Sequence, residues 1–286
     1  MDTVLCSIHA VEDHGPDFQK EVCELNSLIG LSAVKKEIYR IINLAMADML
    51  RRQQDLKTSH QSYHMVFSGN PGTGKATVAG LLAKIFRGLG ILSKGHLVEV
   101  GWPNLFAYNA LLTAEKTRRV VESALGGILF FDTSCSLNSD MSAVAKHNEP
   151  EAVSALLKAL EEYRDNIIVI IAGYPESTKE FLSMNPGLES RFRFRISFND
   201  YSADEMTLIF WYLCSIKGFR ITRQALDTVK AKFSGISRDD SSAFTNAHIV
   251  RDCFEEAVMN QAQRVVLDPD LSNLELALLT EEDVCV

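Results

Sequence analysis

The sequence predicts an α/β fold in which helices cover both faces of a parallel sheet, followed by a small all-helical domain. Strand-length apolar segments such as 127–132 (GILFFD) and 167–173 (IIVIIAG) alternate with longer segments of helical periodicity. Strands that are apolar throughout and alternate with helices are typical of parallel sheets buried on both faces. After 191–200 (RFRFRISFND) the strand patterns stop, and helical patterns follow.

The order of the elements predicts three regions. Residues 1–25 show little periodicity and predict a tail or a peripheral helix, whereas apolar residues at helical spacing predict an amphipathic helix over 32–54. Further strands are predicted at 62–69, 96–100, 127–132 and 167–173, and further helices at 75–90, 113–125 and 149–164. We therefore expect an N-terminal segment over 1–25, an α/β domain over 26–200 and a helical domain over 201–286.

The composition argues against several classes of protein. The net charge of −8 disfavours a general nucleic-acid binder, which needs a basic surface to displace counterions. The apolar stretches are far shorter than the roughly 20 residues of a membrane-spanning helix, and the N-terminus does not resemble a signal peptide. The six cysteines have no C-x-x-C spacing, which predicts reduced thiols in the cytoplasm. We expect a cytoplasmic protein that binds neither nucleic acid nor membrane.

A glycine-rich loop connects the first strand of the predicted sheet to the helix that follows. The segment 69–76 (GNPGTGKA) matches the phosphate-loop pattern G-x-x-x-x-G-K-[ST] except at its last position. In such a loop, backbone N–H groups and the positive end of the following helix face a phosphate, and the lysine reaches the outer phosphates. The predicted binding residues are Gly69, Asn70, Pro71, Gly72, Thr73, Gly74, Lys75, Ala76 and Thr77. A glycine turn without a ligand is the alternative.

The residues expected to hold magnesium and to activate water are partly missing. Ala76 lacks the hydroxyl that ligates Mg²⁺ in phosphate loops, and Thr77 cannot replace it because the next helical residue is rotated by about 100°. Asp132 ends a buried strand at the edge where ligands bind in open sheets, so we expect it to hold Mg²⁺ through water and to serve catalysis. A helix-capping aspartate is the alternative. The adjacent Thr133 cannot act as a general base, and losing a positioned base costs roughly 10²–10⁴ in rate.

Several linked segments resemble AAA+ ATPases of the group that contains stage V sporulation protein K and the red-type Rubisco activase. The resemblance covers nearly the whole chain from about residue 25, and four of its segments are 64–75 (HMVFSGNPGTGK), 113–132, 156–176 and 185–202. It implies a P-loop AAA+ sheet sandwiched by helices, with a helical lid. It also implies ATP or ADP as the ligand, Mg²⁺ weakly held, assembly into a usually hexameric ring, and a protein as the target.

The resemblance implies roles for residues outside the loop. Segment 28–31 (LIGL) matches the part that contacts adenine, which assigns this role to Leu28, Ile29 and Gly30. Arg191 matches the arginine that acts in trans to complete the site of a neighbouring subunit, and Arg193 is a second candidate. His248 stands where the family carries a longer arginine that couples the γ-phosphate to the lid, so we expect weaker coupling. The alternatives are an ion-paired surface arginine at 191 and a partly buried helix residue at 248.

A fourth difference from the family lies in the loop that grips substrate in the central pore of AAA+ rings. The family has an aromatic residue flanked by glycines, whereas here Asn109 falls on the aromatic position and Tyr108 precedes it. The family's glycines are replaced by Ala107, Tyr108 and Leu111, so the loop should be stiffer and is expected to pack rather than grip. Substrate threading is therefore in doubt on grounds that are independent of hydrolysis.

Three interpretations follow from these differences. The leading one is a degenerate AAA+ protein that binds adenine nucleotide, hydrolyses it slowly or not at all, and acts as a nucleotide-responsive or structural subunit of a ring. The ring would contain the chain itself or an active paralogue. The second is an active, ATP-hydrolysing remodeller of a protein target, because Lys75, Asp132 and Arg191 are retained. The third is a nucleotide-free protein-interaction module.

Overall fold

The computed structural model describes residues 16–57, 62–105, 107–133, 149–236, 245–266 and 272–284. These residues form two compact units. The sheet unit comprises the chain up to Gly69 together with Lys75–Phe198, and the lid unit comprises Asn70–Gly74 together with the chain from Asn199 onward. The central residues of the glycine-rich loop thus belong to the lid unit, although the residues on either side of them belong to the sheet unit.

A five-stranded sheet forms the centre of the sheet unit. Its strands are β1 (Met65–Ser68), β2 (Leu97–Gly101), β3 (Ile128–Asp132), β4 (Ile168–Gly173) and β5 (Phe194–Ser197). The strand order is β2-β3-β4-β1-β5, and each neighbouring pair is parallel. All residues of β4 are buried, and all of β3 except its last residue. The predicted parallel sheet is confirmed, and the carboxyl ends of its strands lie at one edge.

Helices cover both faces of this sheet. They are α1 (Pro16–Ser27), α2 (Ser32–Gln53), α3 (Lys75–Gly88), α4 (Ala110–Ser123), α5 (Glu149–Glu162), α6 (Pro175–Ser183) and α7 (Pro186–Arg191), with a 3-10 turn at Trp102–Leu105. Alternate residues of β3 point into two separate apolar clusters. Ile128 and Phe130 pack with residues of α1, α2 and α3, whereas Leu129 and Phe131 pack with residues of α4, α5 and α6. This alternation is the physical basis of the doubly covered sheet.

Helices α6 and α7 were not predicted from the sequence. Each begins at a proline, which favours the first turn of a helix because its φ is fixed and its missing N–H would be unsatisfied there. The Asn185 side chain accepts a hydrogen bond from the Gly187 N–H at 2.8 Å and caps α7. The cap and the two prolines are the local signals that would have identified these short helices.

The lid unit is helical, as predicted, with one small addition. Its elements are α8 (Ala203–Ile216), α9 (Arg223–Ser234), α10 (Ala247–Val266) and α11 (Glu281–Val284), a 3-10 turn at Glu275–Ala277, and two parallel two-residue strands, β6 (Arg220–Ile221) and β7 (Leu278–Leu279). Strands of two residues are too short to show a periodicity, which explains why the sequence did not indicate them. Among the described helices of both units, none is long and apolar enough to cross a membrane.

Candidate functional site

Every carbonyl oxygen from residue 69 to residue 73 of the glycine-rich loop accepts a hydrogen bond. The pairs are Lys75 Nζ to Gly69 O (2.8 Å) in the sheet unit and, in the lid unit, Thr73 Oγ1 to Asn70 O (2.8 Å), Asn246 Nδ2 to Pro71 O (3.2 Å), the Ala247 N–H to Gly72 O (3.2 Å) and the Tyr201 hydroxyl to Thr73 O (3.3 Å). The peptide bonds are trans, and a trans peptide points its C=O and N–H in opposite directions. The N–H groups of the loop therefore face away from these donors, as in a phosphate cradle.

Tyr201 keeps its hydroxyl protonated, as the hydrogen bond to the Thr73 carbonyl requires. Its ring is buried. Burial first, and then the negative charge of Glu205, raise the pKa of the Tyr201 hydroxyl to about 12. The hydroxyl therefore keeps its proton at neutral pH and can donate it to the carbonyl of Thr73.

Two glycines of the loop have no room for a side chain. Gly69 has φ +153°, and a Cβ there would lie 2.3 Å from the carbonyl oxygen of Phe198 within the sheet unit. Gly72 has φ +72°, and a Cβ there would lie 2.1 Å from the Thr245 carbonyl oxygen and 2.9 Å from Cδ2 of His248 within the lid unit. Glycine is required at both positions because backbone atoms approach too closely for any larger residue.

A polar cluster in the lid unit connects the loop to the start of α10. The Asp200 carboxylate accepts from Asn70 Nδ2 at 3.0 and 2.9 Å and from Asn246 Nδ2 at 2.8 Å. The Asn246 Oδ1 accepts from the Tyr201 N–H at 2.9 Å. Asn246 is fully buried and has φ +49°. The sequence indicated Asn70, but Asp200 and Asn246 were missed because their roles depend on partners far away in the chain.

The expected magnesium and water-activating positions lie at the carboxyl end of β3. Asp132 is the last residue of this strand, and its Cα is in register with Gly101 of β2 and Ala172 of β4. The neighbouring Thr133 is 1% exposed. Its N–H and its hydroxyl both donate to the Ala172 carbonyl, at 2.7 and 3.0 Å. The Thr133 side chain therefore fastens β3 to β4 and is shielded from solvent.

The two residues that follow Lys75 face different surroundings. Ala76 is partly buried and packs against the apolar cluster formed with α1, α2 and α3. Thr77 is exposed. The two side chains thus point in different directions, as the rotation of about 100° between consecutive helical residues requires.

The segment expected to contact adenine forms a tight connection between α1 and α2. Gly30 and Leu31 have φ of +65° and +56°, a conformation that costs a non-glycine residue about 1–2 kcal/mol. Lys35 stabilises this turn because its ammonium donates to the carbonyl oxygens of Leu28 and Asn26. Burial lowers the pKa of Lys35. Strained backbone that is held in place by such contacts is often found at ligand-binding sites.

Arg191, the predicted trans-acting arginine, ends α7 and is paired within its own chain. Its guanidinium forms a salt bridge with Glu161 of α5. Burial first, and then the charge of Arg191, lower the pKa of the nearby His64 to about 4. The neutral His64 accepts the Val169 N–H on its Nδ1 at 3.0 Å and so fastens the start of β1 to β4. Within its own chain Arg191 is therefore ion-paired, and its role in trans stays a prediction.

The pore-loop position and the lid position both lie at the starts of helices. Asn109 caps α4, because its Oδ1 accepts the Leu112 N–H at 2.9 Å. Tyr108 and Leu111 on either side of it are 88% and 79% exposed. His248 is exposed in the first turn of α10, so the alternative of a partly buried residue is wrong.

Two family models match the chain. The model described as "ATPase family associated with various cellular activities (AAA)" matches residues 65–200, and the "AAA lid domain" model matches residues 202–285. Stage V sporulation protein K of Bacillus subtilis is 34% identical over 270 residues, which are 92% of this chain and 81% of that protein. The chloroplastic ribulose bisphosphate carboxylase/oxygenase activase of Cyanidioschyzon merolae is 35% identical over 260 residues, 90% of this chain and 87% of that protein.

Solved structures agree with this fold. The AAA domain of FIGL-1 in complex with ADP has a TM-score of 0.60 at 16% identity and covers 91% of this chain and 81% of that one. A structure described as the basis for katanin self-assembly has a TM-score of 0.59 at 16% identity and covers 99% of this chain and 89% of that one. At this identity the similarity supports the fold alone. The family models and the relatives together show that the chain belongs to the AAA+ ATPase family and consists of an AAA domain and an AAA lid domain.

Proposed function

We propose that the chain binds adenine nucleotide through residues 69–75 and hydrolyses it slowly or not at all. The observation that carries this proposal is the contrast between the loop and the end of β3. Each loop carbonyl from 69 to 73 has a donor, whereas the residue after Asp132 is a buried threonine whose hydroxyl serves the Ala172 carbonyl. The first arrangement favours phosphate binding, and in the second the described residue directly after Asp132 is not a general base.

The residues of the loop fit the phosphates of a nucleotide. The N–H groups of Asn70, Gly72, Thr73 and Gly74 face away from the carbonyl donors, as the N–H groups of a phosphate cradle do. Helix α3 begins at Lys75, so its positive end also favours an anion there. The ammonium of Lys75 lies at the Gly69 carbonyl and supplies the positive charge of the loop. By family resemblance, Leu28, Ile29 and Gly30 would contact the adenine.

The residues fit magnesium less well. Mg²⁺, when bound, would neutralise phosphate charge and orient the phosphate oxygens. Ala76 offers it no oxygen and packs instead against apolar residues, while the Asp132 carboxylate remains as a ligand acting through water. We therefore expect the loop N–H groups and Lys75 to supply most of the nucleotide affinity, and His248, which is shorter than the family's arginine, to respond weakly to the γ-phosphate.

We also propose that the chain acts as a subunit of a ring, with itself or with an active paralogue, as a nucleotide-responsive or structural component. A hexamer is the arrangement implied by the family. Arg191 would act in trans, after release from Glu161. The target would be a protein rather than nucleic acid or membrane. The cap at Asn109 argues against a flexible gripping loop and supports a role other than threading.

The proposal is tested by calorimetric titration of the full chain with ATP and ADP, combined with steady-state phosphate release. Lys75→Ala should abolish binding because it removes the cation of the loop. Lys84→Ala, which changes the same residue type on the same helix α3, should bind like the wild type. Undiminished binding by Lys75→Ala would show that the loop is not the site, and no binding by the wild type would favour a nucleotide-free interaction module. Turnover of about 1 s⁻¹ or more would show an active enzyme.

A further inference from the structure

We propose that Asn246 is a positioning residue that holds the phosphate loop in its binding shape before nucleotide arrives; this inference rests on the proposed nucleotide site. Asn246 is fully buried and lies directly before α10. Its amide makes three hydrogen bonds within the lid unit: Nδ2 donates to Pro71 O at 3.2 Å and to Asp200 Oδ1 at 2.8 Å, and Oδ1 accepts the Tyr201 N–H at 2.9 Å. Both donors and the acceptor of this side chain are used inside the protein.

The bond to Pro71 fixes the orientation of one peptide plane in the loop. Proline has a fixed φ and no N–H, so its carbonyl is the polar group by which it can be held. When Asn246 holds this carbonyl, the N–H of Gly72 in the same trans peptide must point the opposite way. The Ala247 N–H then repeats the effect one residue later, because it holds the Gly72 carbonyl and so orients the N–H of Thr73.

Asp200 holds Asn70, the first residue of the lid-unit part of the loop. Together Asp200 and Asn246 form what we call the clamp. Its carboxylate accepts from Nδ2 of Asn70 through both oxygens and from Nδ2 of Asn246 through one. Hydrogen bonds to an ionised group are about twice as strong as neutral ones. Asn70 and Pro71 are therefore both fastened to the same pair, Asp200 and Asn246, and the loop keeps its shape without a ligand.

The backbone conformation and the hydrogen bonds at position 246 favour asparagine over aspartate and glycine. The backbone φ of +49° is tolerated by asparagine, aspartate and glycine far better than by other residues. Aspartate has the same shape but lacks both donors and would place a second carboxylate against Asp200. Glycine adopts the φ but offers no side-chain bond. Asn246→Asp and Asn246→Gly thus remove the clamp in two different ways while keeping the backbone conformation accessible.

The clamp predicts a uniform effect on nucleotides. Because it orients the loop rather than contacting one particular phosphate, its loss should weaken ATP and ADP by the same factor. A factor of about 10–100 is expected for a lost hydrogen bond that involves a charged group. The Ala247 amide, which donates to the Gly72 carbonyl at 3.2 Å, should also exchange its hydrogen faster in nucleotide-free Asn246→Asp than in the wild type, because the loop is no longer held against it.

The test uses the full chain and two measurements, calorimetric titration with ATP and with ADP, and amide hydrogen exchange without nucleotide. Asn260→Asp is the matched control, since Asn260 lies on α10, the helix that Asn246 precedes, and donates to the Asp283 carbonyl at 3.0 Å, away from the loop. Asn246→Asp should show the equal loss for both nucleotides and the faster exchange of the Ala247 amide, whereas Asn260→Asp should show neither. If Asn246→Asp does not fold, Asn246→Gly takes its place.

A double variant separates positioning from general support of the fold. Adding Asp200→Asn to Asn246→Asp restores a donor between the two side chains, so the double variant should bind ATP more tightly than Asn246→Asp alone; two independent structural losses would add instead. Binding by Asn246→Asp within about twofold of the wild type, with unchanged exchange of the Ala247 amide, would overturn the inference. If the wild type binds no nucleotide, the proposed site fails, and the exchange measurement alone still decides whether the clamp exists.

Discussion

The glycine-rich loop and the end of strand β3 use their polar groups in opposite ways. In the loop, internal donors hold the carbonyl oxygens of residues 69–73, which orients the N–H groups toward a ligand. At the end of β3, the hydroxyl of Thr133 donates its hydrogen bond to the carbonyl of Ala172. If the proposed function holds, binding and hydrolysis depend on separate residues, so a chain of this family could keep one function while it loses the other.

The largest effect that this separation predicts is on the ATP turnover of a neighbouring subunit. If the chain's own hydrolytic position is lost but its arginine is intact, Arg191→Ala should lower the turnover of a catalytically intact partner in a mixed ring by about 10³-fold or more, the range of trans-acting arginines. Lys75→Ala in the same ring should change the partner's turnover much less. The measurement is phosphate release from co-assembled rings.

Arg195→Ala is the matched control for this prediction. Arg195 lies four residues away on β5 and forms a salt bridge with Glu189 at 2.9 Å; its loss should leave the partner's turnover nearly unchanged. Equal effects of Arg191→Ala and Lys75→Ala, or no co-assembly by light scattering in the presence of ATP, would contradict the trans role.

The next largest effect should come from restoring the missing groups. Ala76→Thr supplies a magnesium ligand and Thr133→Glu supplies a carboxylate beside Asp132. Together they should raise ATP turnover by about 10²–10⁴-fold, and by more than the two single changes combined, because ligand and base act as a unit. His248→Arg is the third change to add if the pair alone falls short of this range.

Thr133→Val is the control for the restored pair. It keeps the shape of the residue and removes the hydroxyl that donates to Ala172 at 3.0 Å. Turnover should stay at the wild-type level, while the free energy of unfolding should fall by about 1 kcal/mol. A marked loss of turnover in Thr133→Val would show that this hydroxyl takes part in catalysis and would reverse the comparison.

The sequence predicted the features that depend on residues close together in the chain. It did not predict those that depend on contacts between distant segments. The apolar runs of β3 and β4, the loop at 69–75 and the helical lid are local patterns, and the structure has them where they were predicted. The two-residue strands β6 and β7 carry no pattern. The clamp by Asp200 and Asn246 joins segments that are more than 100 residues apart in the chain, and the use of the Thr133 hydroxyl depends on β4. Neither could be inferred without coordinates.

A substitution at Gly72 tests whether ATP binding depends on the shape of the glycine-rich loop. Gly72→Ala places a Cβ 2.1 Å from the Thr245 carbonyl oxygen at φ +72°. Backbone strain and overpacking of about 1–3 kcal/mol each should displace the loop and weaken ATP binding by about 10³-fold in calorimetric titration. Gly218→Ala is matched to it, because Gly218 also has positive φ (+80°) in the lid unit but has open space around its Cβ position. Similar losses in both variants would show that strain alone, and not the contact, matters.

A further effect concerns the pH dependence of the stability of the sheet unit. The pKa of His64 is lowered to about 4 by burial and by Arg191, so the unfolded chain binds a proton at higher pH than the folded one. The free energy of unfolding should therefore fall as the pH decreases from about 6.5 to 4, by about 3 kcal/mol from this residue, and the contribution should level off below pH 4. Chemical denaturation at several pH values measures the slope. His64→Gln should remove this part of it, and an unchanged slope would show that His64 is not held neutral.

The central claim is that the loop binds nucleotide with little help from magnesium. It is tested most directly by calorimetric titration of the full chain with ATP in the presence of Mg²⁺ and again in the presence of a chelator. Because Ala76 supplies no oxygen ligand while Lys75 and the oriented loop amides remain, the dissociation constant should change by less than about tenfold, an energy of about 1.4 kcal/mol. Loss of measurable ATP binding when magnesium is chelated would contradict the account.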